Sequence, residues 1–319
     1  MIFSLSLFAQ NAEPKLHGYI QSRFSSDFEN TNDFMIRRAK LWVDGNVPNI
    51  DNVTYKVQMV YRSFKDESLM LQDAFADVKI NDSGFLRVGR FVPNFMLQRM
   101  QPDYEISDIE RAGVISGFIH SSKSMARQIG VQFTYQTENS PLNFSFGIFN
   151  ANLESSRKNN DMNLLYTSHT QFSLVEKEDY FFQVGFSLAY RYANALSMSN
   201  IFAENELLTG NDLRYGFEYQ FEFNKFGMQA EFLKAKIAGH KPWGYYIGSD
   251  FTISEHFQAT AGIEKFSDIN NLTNDNEWYS VGLIYYFSER NKLMTDFKTQ
   301  FNVDSNINIA EIQYQIFFN

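Results

Sequence analysis

Apolar and polar residues alternate with period two along most of this chain. From Asn52 to Arg62, Val53, Tyr55, Val57 and Met59 share one face, while Thr54, Lys56, Gln58 and Arg62 share the other. From Phe182 to Tyr192 the apolar positions are Phe182, Val184, Phe186, Leu188, Tyr190 and Tyr192. In Leu213 to Phe223 every odd residue is Leu, Tyr or Phe, opposed by Arg214, Gly216, Glu218, Gln220 and Glu222. Successive strand side chains point to opposite faces, so each such segment has one apolar and one polar face. Comparable segments fall at 16–25, 33–47, 52–63, 69–80, 84–91, 126–137, 142–150 and 162–174, and again at 180–192, 212–224, 226–236, 243–253, 256–266, 277–288, 291–302 and 306–319. The pattern predicts sixteen strands, joined by turns as short as Asn81-Asp82-Ser83-Gly84 or by loops of more than ten residues.

A soluble sandwich would also alternate, but its strands average about five or six residues. Ten to twelve residues is the length that crosses a bilayer obliquely. A closed barrel satisfies every backbone donor and acceptor and leaves no edge in lipid. No run approaches the roughly 18 apolar residues of a membrane helix. The expected fold is therefore all-β, a 16-stranded antiparallel transmembrane β-barrel in the bacterial outer membrane, with outer-membrane lipid as its surroundings. The compact apolar run Ile2–Ala9, ending at Ala9-Gln10, is read as the remnant of a secretory signal over residues 1–10. A frayed N-terminal strand is the alternative. Residues 16–319 form a single barrel domain on this reading.

Composition narrows the class. The chain carries 33 Phe, 17 Tyr and 3 Trp, has no cysteine, and has a formal charge of −9. Aromatics in this number exclude a disordered chain, and the missing thiols exclude disulfide scaffolds and cysteine zinc sites. An acidic surface is unsuited to nucleic acid, and none is expected as a partner. The charge is uneven. Residues 1–130 hold 15 basic and 15 acidic side chains, and residues 131–319 hold 13 and 22. Alternation lapses for long only at 92–125, which carries Arg99, Arg111 and Lys123 with Asp103, Glu105, Asp108 and Glu110. Mixed charge suits a loop folded against charged walls, a solvated external loop being the alternative.

If the apolar parity faces lipid, the other lines the lumen. That places Arg38, Lys40, Asp44, Lys56, Gln58, Arg62, Asp73, Asp77, Lys79 and Arg87 on one wall. Arg191, Arg214, Glu218, Glu222, Glu264, Lys292, Asp296, Lys298 and Glu311 face them. Opposed basic and acidic walls would set up a transverse field that orients polar solutes, whereas any single charge could instead brace the wall. The candidate pore-lining, anion-binding set is Arg38, Lys40, Lys56, Arg62, Arg87, Arg111, Lys123 and Arg214. Arg127 falls on the lipid parity and is expected at the rim.

Two other function classes are compatible with such a barrel. An outer-membrane hydrolase needs a nucleophile, a base and an orienting group. The one close His/Ser grouping is His120-Ser121-Ser122, without a glycine elbow. No metal-ligand spacing and no phosphate-cradling glycine loop occurs, so neither enzyme activity nor a cofactor is expected. A structural or partner-binding barrel would show the same strands around a closed lumen.

Several segments carry a resemblance. Phe34-Met35-Ile36-Arg37-Arg38-Ala39-Lys40-Leu41, ending at Asp44-Gly45, resembles the second strand of the phosphate-selective O/P porins, in a Bacteroidetes-like variant. Leu71-Gln72-Asp73-Ala74-Phe75-Ala76-Asp77 resembles their fourth strand and Leu86-Arg87-Val88-Gly89-Arg90-Phe91-Val92-Pro93 their fifth. Glu110-Arg111-Ala112 and Arg127-Gln128-Ile129-Gly130 fall where that family continues its third loop and sixth strand. The resemblance covers about 16–135. It implies a 16-stranded barrel, a homotrimer, a third loop folded into the lumen, and passive uptake of small hydrophilic solutes or anions such as phosphate past Arg and Lys. Two departures bear on this: the excess acid of the C-terminal portion, and an ending of Phe317-Phe318-Asn319 where such barrels end in an aromatic.

Overall fold

In the computed structural model the described residues are 13–63, 69–119, 125–137, 140–151, 153–154, 158–159, 162–177, 180–199, 201–202, 206–267, 277–301 and 306–318. The signal reading at 1–10, Lys123 and the His120-Ser121-Ser122 group lie outside them.

Sixteen strands close into one antiparallel barrel. The first seven are β1 (Lys15–Ser26), β2 (Asn32–Asn46), β3 (Val53–Tyr61), β4 (Leu69–Asn81), β5 (Gly84–Phe91), β6 (Gln128–Tyr135) and β7 (Leu142–Asn150). After a two-stranded pair outside the barrel, β8 (Leu153–Glu154) and β9 (Lys158–Asn159), the wall resumes. Next come β10 (Leu164–Lys177), β11 (Tyr180–Ser197), β12 (Leu207–Phe223), β13 (Phe226–Ile237) and β14 (Trp243–Thr252). It finishes with β15 (Phe257–Ser267), β16 (Trp278–Tyr286), β17 (Lys292–Gln300) and β18 (Ile307–Phe318). Each barrel strand overlaps one predicted segment. Between β5 and β6 lie two short helices that the alternation did not predict, α1 (Leu97–Met100) and α2 (Gly113–Phe118).

Closure is made by β1 against β18, in the register Gly18↔Phe318 through Ser26↔Ala310. Gly18 leaves the space that the Phe318 ring and Leu41 fill, and a Cβ there would have to displace them. The wall is uneven in height: β11 and β12 have 18 and 17 residues, whereas β5 and β6 have 8 each. Short turns such as 224–225 gather at the end that holds both chain termini, and the longer connections at the other, as in outer-membrane barrels.

The outer face carries the exposed apolar residues, for instance Leu41, Phe186, Phe217, Val281 and Ile316. The inner face carries buried polar ones, including Gln21, Arg38, Gln132, Gln183, Gln313 and Gln315. Register shifts interrupt this alternation in several strand pairs, and two of them bear on the site. In β2 the pairing passes from Gln21↔Arg38 to Ser22↔Ile36, so Arg37 is an extra residue. In β4 it passes from Gln58↔Asp73 to Met59↔Leu71, making Gln72 extra. A bulge turns two consecutive side chains toward one face. Gln72 and Asp73 accordingly both accept from Gln58 Nε2, at 2.6 and 3.0 Å.

The aromatics are not all an outer coat. Phe91, Phe95, Phe118, Phe149, Phe202, Tyr246 and Phe266 join a buried apolar cluster with Met96, Val114, Ile115, Leu165, Leu196, Leu233 and Ile237. It packs α2 and Met198, Ile201 and Phe202 against the inner face of β7 and β10–β15 near the long-connection end. The rule that the apolar parity faces lipid could not reveal it: on β13 that rule turns Leu233, Ala235 and Ile237 outward, whereas they are buried inside and Lys234 and Lys236 take the outer face.

Candidate functional site

The connection between β5 and β6 has little regular structure, so its backbone polar groups need partners elsewhere. Inner-face side chains of many strands supply them. Ser187 Oγ accepts from Met96 N at 2.8 Å, and Glu231 Oε1 accepts from Gln98 N at 2.8 Å. A Glu264 carboxylate oxygen accepts from Gly113 N. Arg23 Nη2 donates to the Ile109 carbonyl at 3.1 Å, Lys292 Nζ to Ile106 at 3.0 Å and Gln315 Nε2 to Tyr104 at 3.2 Å. Within the segment, Arg111 donates to the carbonyls of Gln98 and Gln101 at 2.7 and 2.6 Å.

Two acids of this segment collect the cations of the β1–β2 wall. Glu110 pairs with Arg23 at 2.7 Å, with Arg38 at 2.9 Å and with Arg37. Asp103 pairs with Lys40 and, at 2.8 Å, with Arg111. Burial pushes both carboxyls up, but the surrounding cations outweigh it: Lys40, Arg38 and Arg111 hold Asp103 well below the usual carboxylate range, and Arg38, Arg37 and Arg23 do the same for Glu110. Asp108 lacks such a cluster, and burial raises it.

Between the β1–β6 wall and this segment lies a cavity of about 730 Å³. Its basic lining residues are Lys15, Lys40, Lys56, Arg87, Arg99, Arg111 and Arg127, and its acidic ones Glu13, Asp44, Asp73, Asp77 and Asp103. Cations outnumber acids here although the chain as a whole is acidic. The cations differ in freedom. Arg87 makes a two-pronged contact with Asp77, both bonds 2.7 Å, and lies 4.0 Å from the Phe75 ring centroid. Arg127 Nε donates to Asp73 at 2.8 Å and Arg99 to the Ala126 carbonyl at 2.5 Å. Lys56 sits 5.0 Å over the Trp42 ring. Among the described residues it forms no ion pair.

The candidate set therefore divides. Lys40, Lys56, Arg87 and Arg111 line the cavity. Arg38 is adjacent but is engaged by Glu110 and Gln21. Arg62, at the end of β3, is not among the lining residues, and its Nε is buried without a hydrogen bond. Arg214 requires correction: it is 0 % exposed, held by Asp212 at 2.8 Å and donating to the Phe118 carbonyl, so the apolar cluster shuts it away from the cavity. Arg191 shares Asp212 at 2.8 Å and is equally enclosed. Arg127 is a second correction. β6 begins at Gln128, so strand parity does not govern Arg127, and its side chain turns to Asp73 in the cavity.

The opposed acidic wall is also broken up. Glu218 is buried against His169 at 2.7 Å, Glu264 holds the segment, and Glu311 is paired with Arg23 at 3.0 Å. Sequence reasoning passed over Lys15, Arg23, Arg37 and Trp42. Arg37 needed the bulge to be recognised, and Trp42 was readable from strict parity with Lys40.

The family comparison decides the identity. The model of the family described as phosphate-selective porin O and P matches residues 18–306. The chain belongs to this family. It is an outer-membrane porin, a diffusion channel in the bacterial outer membrane. Its fold is similar to OmpF of Salmonella typhi, solved in complex with daunomycin: TM-score 0.70, 12 % identity, covering 98 % of this chain and 99 % of that one. The outer-membrane channel DcaP of Acinetobacter baumannii gives TM-score 0.63 at 13 % identity, covering 97 % and 98 %. In-vitro folded OmpT of Vibrio cholerae, in its trimer form, gives 0.65 at 12 %, covering 97 % and 100 %. No curated protein matches the chain. At these identities the solved structures speak for the porin's fold alone.

Proposed function

We propose that this porin passes small hydrophilic solutes with a preference for anions, along a path narrowed by residues 92–119 folded into the lumen. The cavity carries the reading: seven cations and five acids face it, and Lys56, which has no ion pair among the described residues, stands where a passing carboxylate or phosphate would meet it. Arg suits such anions through its planar donor fork, and Lys as a compact point charge. The segment's hydrogen bonds to strands on both sides of the barrel support its place within the lumen. Phosphate is one anion such a lining accommodates, alongside other small carboxylates.

The preference is modest on this reading, because Glu110 and Asp103 already neutralise four wall cations. A trimer is proposed as the assembled state, as in the trimer form of OmpT of Vibrio cholerae. The apolar cluster at the long-connection end favours a second reading, a barrel whose lumen stays shut. Bi-ionic reversal potentials with phosphate, chloride and a dicarboxylate test the proposal. Anion-favouring potentials are expected, cation-favouring ones would overturn the preference, and absent conductance would favour the shut barrel.

A further inference from the structure

The outer face of the barrel should be apolar where it meets lipid, and its exceptions are informative. Lys234 and Lys236 on β13 and Lys265 on β15 all fall on the outward parity. Their strand neighbours Leu233, Ala235, Ile237 and Phe266 are the buried, inward ones. All three lie at the long-connection end of their strands, the end that faces outward in a bacterial outer-membrane barrel. Register brings two of them to either side of β14, Lys234 paired with Trp243 and Lys265 with Tyr245, and Lys236 lies two residues along β13 from Lys234. Trp243 and Tyr245 stack with ring centroids 6.3 Å apart between them. Lys241, in the turn joining β13 to β14, is exposed above them.

One acid, Glu277, stands beside this group among the described residues. None of the three lysines forms an ion pair among the described residues. Glu277, the carboxylate that feels Lys265, is occupied by the Tyr245 and Tyr279 hydroxyls at 3.0 and 2.8 Å. Among the described side chains, one other strand cation, Arg90, lies on the outer face, and it donates to the Gln72 carbonyl at 3.2 Å. Toward the middle of the same strands the surface is apolar, with Phe232, Ile247, Ile263 and Val281. Cations above an aromatic belt and an apolar band match the profile of an anionic lipid: phosphate, then headgroup boundary, then acyl chains.

We propose that Lys234, Lys236 and Lys265, with Trp243 and Tyr245, form a binding site for the phosphorylated headgroup of an outer-leaflet lipid. The site is separate from the channel lining and rests on the outer-membrane location.

The test uses the full chain in detergent micelles doped with bis-phosphorylated lipid A, with bound lipid counted by native mass spectrometry. Wild type should retain lipid A, and K234Q/K236Q/K265Q should retain it at least about tenfold more weakly. Inorganic phosphate should not displace it. Equal retention by wild type and variant would overturn the proposal, and release by inorganic phosphate would show a free-anion site instead. Equal lipid retention with a changed oligomeric state would also overturn it, marking this rim as a subunit contact. Heat-modified gel mobility and bilayer conductance, both expected unchanged, verify folding and keep this outcome distinct from any failure of the channel reading. Should the triple variant fail to fold, K236Q alone carries the comparison at an exposed position.

Discussion

Arg38 Nη2 of the second strand stands 2.9 Å from Glu110 Oε2 of the β5–β6 connection, and Arg37 reaches the same carboxylate from the neighbouring position. A β-bulge makes this possible by turning two consecutive side chains inward. With Arg23 the carboxylate gathers three guanidinium groups, so one residue both anchors the connection and quenches much of the wall's positive charge. Glu110→Gln should cost about 3 kcal/mol, near the lower end of the range for breaking a buried ion pair because the Glu110 side chain keeps 20 % exposure. Denaturant unfolding of the refolded barrel measures the loss. The same variant should shift the reversal potential toward anions, since three cations lose their counter-charge.

Acid should act in two stages. Asp103 and Glu110 have depressed folded values, so their contribution is present above the ordinary carboxylate range and is lost only as pH falls through those lower values. Asp108 is raised, so protonating it on the way down relieves a buried charge and favours the packed segment. Protection of residues 92–119 from proteolysis should therefore hold or rise as pH drops from neutral toward about 4, and fall below that. Proteolysis across a pH series checks this, and loss of protection between neutral and about pH 5 would contradict it.

Phe118→Ala tests the apolar cluster. Phe118 is fully buried, packs on Phe266 with centroids 6.4 Å apart, and gives its carbonyl to Arg214. Truncation should destabilise the barrel by about 3–5 kcal/mol and loosen α2 from the wall. Equilibrium unfolding measures the first effect, and increased open-channel noise in bilayers the second.

Lys56 and Lys40 both line the cavity, yet they should not be equivalent. Lys40 is bound to Asp103, so Lys40→Gln releases an acid as it removes a base. Among the described residues Lys56 has no ion pair and sits over the Trp42 ring. Lys56→Gln should move the reversal potential toward cations by more than twofold the effect of Lys56→Arg, which keeps the charge. Equal shifts would show that the charge at this position does not set selectivity.

Much of the wall was legible because a lipid-facing strand imposes period two on its sequence. Residues Leu213 to Phe223 could be assigned side chain by side chain, and all sixteen strands were located. The site was less legible for three physical reasons. Bulges at Arg37 and Gln72 reset parity within a strand, and nothing in Phe34–Leu41 marks the extra residue. Arg127 lies one residue outside its strand, where parity no longer applies. Above all, pairing between Glu110 and the β1–β2 arginines depends on where an irregular connection comes to rest, which no local pattern encodes. Arg214 shows the consequence: its inward parity was correct, but the partner waiting inside was Asp212 and the packed α2, not open water.

The most direct test is the reversal potential of the purified protein in a planar bilayer across a potassium chloride gradient, wild type beside the Lys56→Gln variant. The account predicts ohmic channels that favour anions in wild type and move toward cations in the variant. Channels that favour cations in wild type, or a variant with unchanged potential, would contradict it.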